Sequence, residues 1–293
     1  MVITTQKKPH ISTFVMAGLK LIRFPNLIIL GLTVLMVYEY LVLQQPSLHA
    51  LLSVKIWLVV FSIVLTAAAG YVINDYYDIK IDYVNKPRRV LVGRIIARRT
   101  AIIFHSVMNV VAVAFSAFVG WKFFISVLFS SFLLWYYANS LKRKPLAGNL
   151  VVSFLSGFSI YLVGLLRKGE GYDIVIFSCF AFLISLIREL VKDMEDIKGD
   201  AAFGCKTLPI LLGERKTKVF VIFLAALFIT MLAFYFYPRN ESLAIYCGVI
   251  LLPLIGMLII GLIVADTTHR YRRISALCKW IMLAGILTIP FFR

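Results

Sequence analysis

Acidic residues number only fourteen in this chain of 293, and eight of them fall in two short windows. The first window, Asn74 to Asp82, reads NDYYDIKID, and the second, Glu189 to Asp200, reads ELVKDMEDIKGD. In the first, Asn74, Asp78 and Asp82 recur at i, i+4 and i+8, so a helix continued through them carries three oxygen-bearing side chains on one face, with Asp75 on a neighbouring one. In the second, Asp193, Asp196 and Asp200 follow at steps of three and four, again on one side. Such stripes suit a hard cation, because Mg²⁺ prefers oxygen ligands and is usually held by one or two carboxylates together with substrate phosphates. The bland alternative, a solvated helix end balanced by nearby Lys and Arg, fits one stripe better than two matching ones.

Cations accompany both windows. Lys86, Arg88, Arg89 and Arg94 follow the first, Lys142 and Arg143 lie between them, and Lys198 and Lys206 flank the second. Lysine and arginine are the usual protein partners of phosphate oxygens. The chemistry implied is metal-assisted work on a phosphorylated substrate.

The elements that must position these residues are membrane helices. The chain is 61% hydrophobic and 15% charged, with a mean hydropathy of +0.91, which is far from soluble globular composition. Apolar runs long enough to cross about 30 Å of hydrocarbon lie near 24–43, 52–74, 99–119, 121–141, 148–166, 172–188, 217–237, 243–265 and 275–292. An all-α polytopic protein of about nine transmembrane helices in one domain, 1–293, is expected, with its thinnest division at Gly120. The polar start, Met1 to His10, shows no cleavable leader. Placing the N-terminus in the cytoplasm leaves only Lys55, Lys122, Arg167, Lys168, Arg239 and Arg293 of the 31 Lys and Arg on the far side. That bias sets the orientation in the cell membrane, puts both acidic windows on the cytoplasmic side, and explains the net charge of +17 without a nucleic-acid partner. The four cysteines have no CxxC spacing and read as packing residues.

NDYYDIKID is similar to the NDxxDxxxD signature of the UbiA superfamily of intramembrane prenyltransferases, and DIKGD, Asp196 to Asp200, resembles its second signature, DxxxD. VNKPRR and GCKTLPILLG resemble the flanking segments, in the right order. The resemblance implies helices around a central cavity and Mg²⁺ at both motifs holding an isoprenyl diphosphate. By motif position, Asn74, Asp78 and Asp82 match one metal site and Asp196 and Asp200 the other. Asp75 and Asp193 are supporting residues and candidate proton acceptors, and Arg89, Lys142 and Lys206 are candidate diphosphate contacts. Two departures stand out: NKPRRVLVGR replaces a longer, proline-rich loop, and Tyr137 lies five residues before Lys142 where relatives carry YxxxK.

The mechanism implied is departure of diphosphate, formation of an allylic carbocation shielded from water, and attack by a lipophilic acceptor, without an obligate protein partner. Tyr76, Tyr77, Tyr136, Tyr137 and Tyr161 lie near the depth at which rings could face that cation. RELVKDMEDIKGD resembles the branch that makes archaeal-type ether lipids, with geranylgeranyl diphosphate as donor and geranylgeranylglyceryl phosphate as acceptor. Two alternatives remain open: an aromatic acceptor, as in quinone or chlorophyll synthesis, and a cation transporter with its aspartates on the permeation path.

Overall fold

The computed structural model describes residues 11–44, 47–169, 171–236 and 241–291. Lys7, Lys8, Arg239, Arg293 and the last residues of the expected spans 217–237 and 275–292 lie outside that set. In chain order the helices are α1 (Ile11–Leu21), α2 (Phe24–Met36, continuing as a π-helical stretch to Val42), α3 (Leu48–Leu51), α4 (Val54–Tyr77), α5 (Ile79–Asn85) and α6 (Arg98–Val119). Then follow α7 (Trp121–Asn139), α8 (Ala147–Gly164), α9 (Tyr172–Ala202), α10 (Leu208–Leu212) and α11 (Glu214–Phe236). The chain ends with α12 (Glu241–Tyr246), joined through a π-helical turn to α13 (Leu252–Val264), and α14 (Thr268–Ile286). Among the described residues, nine helical stretches are long and apolar enough to cross a membrane. An all-helical design meets the requirement that backbone polar groups in lipid be satisfied within the chain.

Most boundaries agree with the apolar runs, and the differences are instructive. The run 172–188 is only the first half of α9, which continues unbroken to Ala202 and carries the whole second motif. The last span begins at Thr268 instead of Ser275, since THRYRRIS is helical despite its charge. α1 was not anticipated. It packs Ala17 and Leu21 onto Val72, Val92, Ile96 and Ala101 while Ile11, Val15 and Met16 face outward. Gly120 alone separates α6 from α7, at φ 152°, a conformation L side chains rarely adopt.

α4 and α9 form the centre: 61% of each one's apolar window is buried, against 11% for α6, which faces lipid. The two central helices are also those that carry the acidic motifs. α8 lies close along α9 because Gly157 has no side chain; a Cβ there would stand 2.5 Å from the Ser178 carbonyl oxygen. Small residues at such crossings are how membrane helices gain close packing. Gly157→Val should therefore destabilise the protein by about 1–3 kcal/mol through overpacking, seen as a lower thermal midpoint in detergent. An unchanged midpoint would show that α8 and α9 can separate freely.

Candidate active site

The first motif straddles a break. α4 ends at Tyr77, and Asp78, at φ −87° and ψ 1°, interrupts the continuous helix expected from the sequence. The i→i−4 bonds survive across it, Asp78 N to Asn74 O at 3.0 Å and Asp82 N to Asp78 O at 2.8 Å, so Asn74, Asp78 and Asp82 still form one row. Asn74 Nδ2 donates to Asp78 Oδ2 at 2.8 Å. The Lys142 ammonium forms an ion pair with buried Asp78 and lies 3.5 Å from Asn74 Oδ1. Burial opposes the charge on Lys142, but Asp78 and its neighbours more than compensate and hold the ammonium above the ordinary lysine range. Asp82 is pushed up to about 6, by burial first and then by the negative charge of Asp78.

The five-residue spacing of Tyr137 and Lys142 has a local cause. α7 stops at Asn139, and the 3₁₀ turn Leu141–Arg143 folds back over the helix end. A Cβ at Gly148 would come within 3.0 Å of Lys142 Cα and 3.1 Å of Tyr137 Cε2. Glycine at the start of α8 thus lets this turn sit close enough for Lys142 to reach Asp78.

The second motif is clamped to the first by residues just beyond NDYYDIKID. Asn85 Nδ2 donates to the Asp196 carbonyl at 3.0 Å, and Gly199 N donates to Asn85 Oδ1 at 2.8 Å. A Cβ on Gly199 would collide with the Asn85 amide. Lys86 Nζ lies 2.8 Å from Asp196 Oδ2 and 3.7 Å from Glu195 Oε1, and Arg272 Nε donates to the same Glu195 oxygen at 3.1 Å. Asp200 is within electrostatic range of Lys142, Asp196 and Asp78, so the two rows face each other.

Behind them opens a cavity of about 400 Å³ between α2, α4, α7, α8, α9, α11 and α14. Its wall nearest the carboxylates is polar, with Arg23, Asn74, Lys142, Arg188, Glu189, Lys192 and Lys279. Further in it is apolar, with Ile63, Leu134, Phe177, Phe180 and Phe228. Arg23 turns the chain between α1 and α2 at φ 53°, forms an ion pair with Asp75 at 3.1 Å and covers the Tyr71 ring at 4.6 Å. Glu189 receives Arg188 at 2.6 Å and Lys192 at 3.0 Å.

The structure thus brings together Asn74, Asp78, Asp82, Asp196, Asp200 and Lys142, with Tyr137 on the cavity wall. It places others elsewhere. Asp75 and Asp193 do not line the cavity; Asp193 Oδ2 accepts from Asn149 at 2.8 Å. Arg89 and Lys206 are exposed. Lys206 joins the site only through its backbone, donating to the Arg143 carbonyl at 3.0 Å. Of the five tyrosines expected near the cation, Tyr137 alone lines the cavity, joined by Tyr71, while Tyr76 lies under Arg98 at 4.8 Å. Asn85, Arg23, Arg188 and Lys279 were not singled out by sequence. The first is an ordinary-looking amide, and the others are indistinguishable from cations of the positive-inside bias.

Asp196 Oδ1 is buried without a hydrogen-bond partner, and all the donors are hard oxygens. Among the described residues no three His, Cys, Asp or Glu side chains converge on one point. The set therefore suits an ion that completes its shell with phosphate oxygens and water, as Mg²⁺ does, and not a closed protein cage.

Facing carboxylate rows beside the polar end of an apolar cavity, in a bundle of membrane-length helices, define a polytopic membrane protein. Residues 28–285 match the UbiA prenyltransferase family, and the chain belongs to that family and is a prenyltransferase. It is 32% identical over 283 residues to a digeranylgeranylglyceryl phosphate synthase from Sulfurisphaera tokodaii, covering 94% of this chain and 99% of the relative. A synthase of the same name from Korarchaeum cryptofilum is 34% identical over 227 residues, 76% of this chain and 80% of the relative. A solved structure concerning digeranylgeranylglyceryl phosphate synthase superposes with a TM-score of 0.69 at 25% identity, covering 95% of this chain and 98% of that one. A UbiA homolog from Archaeoglobus fulgidus, solved with GPP and Mg²⁺, shares the fold at a TM-score of 0.64 and 16% identity, covering 93% and 99%.

Asn85→Ala removes the two bonds that hold the rows in register, each worth about 0.5–1.5 kcal/mol. The expected result is a protein that still inserts but needs several-fold more Mg²⁺ for half-maximal turnover, measured by metal titration. An unaltered titration would remove Asn85 from the site.

Proposed function

We propose that this prenyltransferase transfers a geranylgeranyl group from its diphosphate to the free hydroxyl of geranylgeranylglyceryl phosphate, with Mg²⁺, at the cytoplasmic face of the cell membrane. The observation that carries the reading is that Asp78, Asp82, Asp196 and Asp200 lie within electrostatic range of one another and of Lys142, while Lys142 and Asn74, which engage Asp78, line the polar end of an apolar cavity. The names of the relatives support the acceptor, and the cation bias supports the orientation.

Asn74, Asp78 and Asp82 on one row and Asp196 and Asp200 on the other would hold Mg²⁺. When bound, the ion would supply charge neutralisation that makes diphosphate a good leaving group. Lys142 and Lys86, already at Asp78 and Asp196, present ammonium groups to the same phosphate oxygens. The C–O bond between prenyl C1 and diphosphate breaks with its electron pair on oxygen. The apolar depth of the cavity keeps water from the allylic cation, and the Tyr137 ring, on the same wall as Asn74 and Lys142, can stabilise it by about 0.5–2 kcal/mol. The acceptor oxygen then bonds to C1 and releases its proton toward the carboxylate end. Asp75 and Asp193, expected as proton acceptors, stand behind the wall and act by positioning Arg23 and Asn149.

The transporter alternative finds no support in this arrangement. The carboxylates sit at helix ends engaged by lysines, and a permeation path would need them on broken helices near the midplane.

Asp78→Ala and Asp196→Ala should each abolish turnover while the protein inserts and elutes normally, because each removes a metal ligand and not a packing group. Chelation should stop wild-type turnover, with recovery on adding Mg²⁺. Labelled geranylgeranyl diphosphate offered together with geranylgeranylglyceryl phosphate and with 4-hydroxybenzoate should label only the ether lipid. Product from the aromatic acid alone would replace the proposed acceptor by an aromatic one.

A further inference from the structure

The carboxylate rows account for the donor, but the cavity wall holds a second charged group that they do not use. Along α9, Arg188, Lys192, Asp196 and Asp200 occupy successive turns, so the cations lie one to three turns, about 6 to 18 Å, deeper than the motif carboxylates. Lys279 faces them from α14, about three turns in from its start, and lines the same cavity. It lies within electrostatic range of Arg188, Arg23, Lys192 and Arg89 and has no carboxylate partner among the described residues. Arg188 Nε is likewise buried without a hydrogen-bond partner.

Arg23, Arg188, Lys192 and Lys279 face Asp75 and Glu189, with Asp193 held by Asn149 behind Lys192, which leaves a surplus of one to two positive charges. Four cations on one wall of an apolar cavity repel one another unless an anion joins them, and ionisable groups at membrane depth are costly enough to mark function. A phosphomonoester, at about −1.5 to −2 near neutral pH, matches that surplus. A diphosphate held at the rows lies a helical turn or more away.

We infer that Arg188, Lys192 and Lys279 bind the phosphate of the acceptor and select a phosphorylated acceptor over its uncharged alcohol. The inference rests on the proposed function and adds a site to it. With the acceptor phosphate on this deeper tier and the donor diphosphate at the mouth, the glycerol hydroxyl is brought between them, beside the bond that breaks.

The test is steady-state kinetics on the detergent-solubilised full chain with geranylgeranyl diphosphate and either geranylgeranylglyceryl phosphate or geranylgeranylglycerol. Lys279→Met and Lys192→Met should raise the KM for the phosphorylated acceptor about tenfold or more, the scale of a lost charge-assisted bond, with the donor KM unmoved. Wild type should prefer the phosphorylated acceptor, the Met variants should lose that preference, and Lys279→Arg should keep it. An unchanged acceptor KM in both Met variants overturns the inference and leaves the proposed function standing, as does a parallel rise in donor KM, which would assign these cations to the diphosphate. Failure of wild type to use the phosphorylated acceptor overturns the proposed function and the inference together.

Discussion

Repulsion between two rows of carboxylates, facing each other where water gives way to hydrocarbon, is the constraint around which this fold is arranged. Asp78 is buried, and Asp82 and Asp200 each feel it. Charges in such surroundings persist only when paired or coordinated. The chain supplies a cation from a different element to each row: Lys142 from the turn after α7 to Asp78, and Lys86 from the turn after α5 to Asp196. Arg272 of α14 does the same for Glu195. Two connections and one helix start that look like ordinary positive-inside segments are therefore held against the motifs by charge. The two helices that bear the rows are the most buried of the bundle because every neutralising element has to pack around them.

The break at Asp78 follows from the same requirement. An unbroken α4 would carry Asp82 and Asn85 straight on, along the α4 axis. Interrupting the helix while keeping its i→i−4 bonds turns α5 onto α9, where the Asn85 amide donates to the Asp196 carbonyl and accepts from the Gly199 N–H. Only glycine allows that approach. The amide thus does for the backbones what the lysines do for the carboxylates. Glycines at 148 and 157 set the other spacings, bringing the Lys142 turn against α8 and α8 against α9. The carboxylate rows and the helix packing share residues, so neither can loosen alone.

How far the sequence discloses this depends on which physical signal each feature leaves. Apolar runs near twenty residues have one explanation, so the spans were legible, and the paired aspartate spacing pointed to the two rows that the fold sets face to face. The long polar ends of α9 and α14 were not, because hydropathy stops marking a helix once it leaves hydrocarbon. α1 escaped notice since a short helix with one buried stripe looks like a polar lead-in. Arg89 and Lys206 flank the motifs in sequence, but Pro87 starts a 3₁₀ turn that leaves Arg89 exposed, and Lys206 contributes a backbone amide. Conversely Arg188 and Lys279 belong to a residue class that membrane proteins enrich in their loops and helix ends for reasons of orientation. Only the packing of α9 against α14 distinguishes them from the rest.

α9 holds cations deep and carboxylates at its end, an order that is the reverse of what solvation alone favours, since a long basic side chain buried on a membrane helix ordinarily snorkels toward the interface. Arg188 and Lys192 are instead kept inward by Glu189, one residue from the first and three from the second. The triplet enters the membrane carrying one net positive charge, which is cheaper than two separate cations. Lys279 has no such escort and faces the same space from α14. A cation presented to that space gains most from an anionic group on a lipid substrate, which both the cavity's apolar floor and its basic wall would accept.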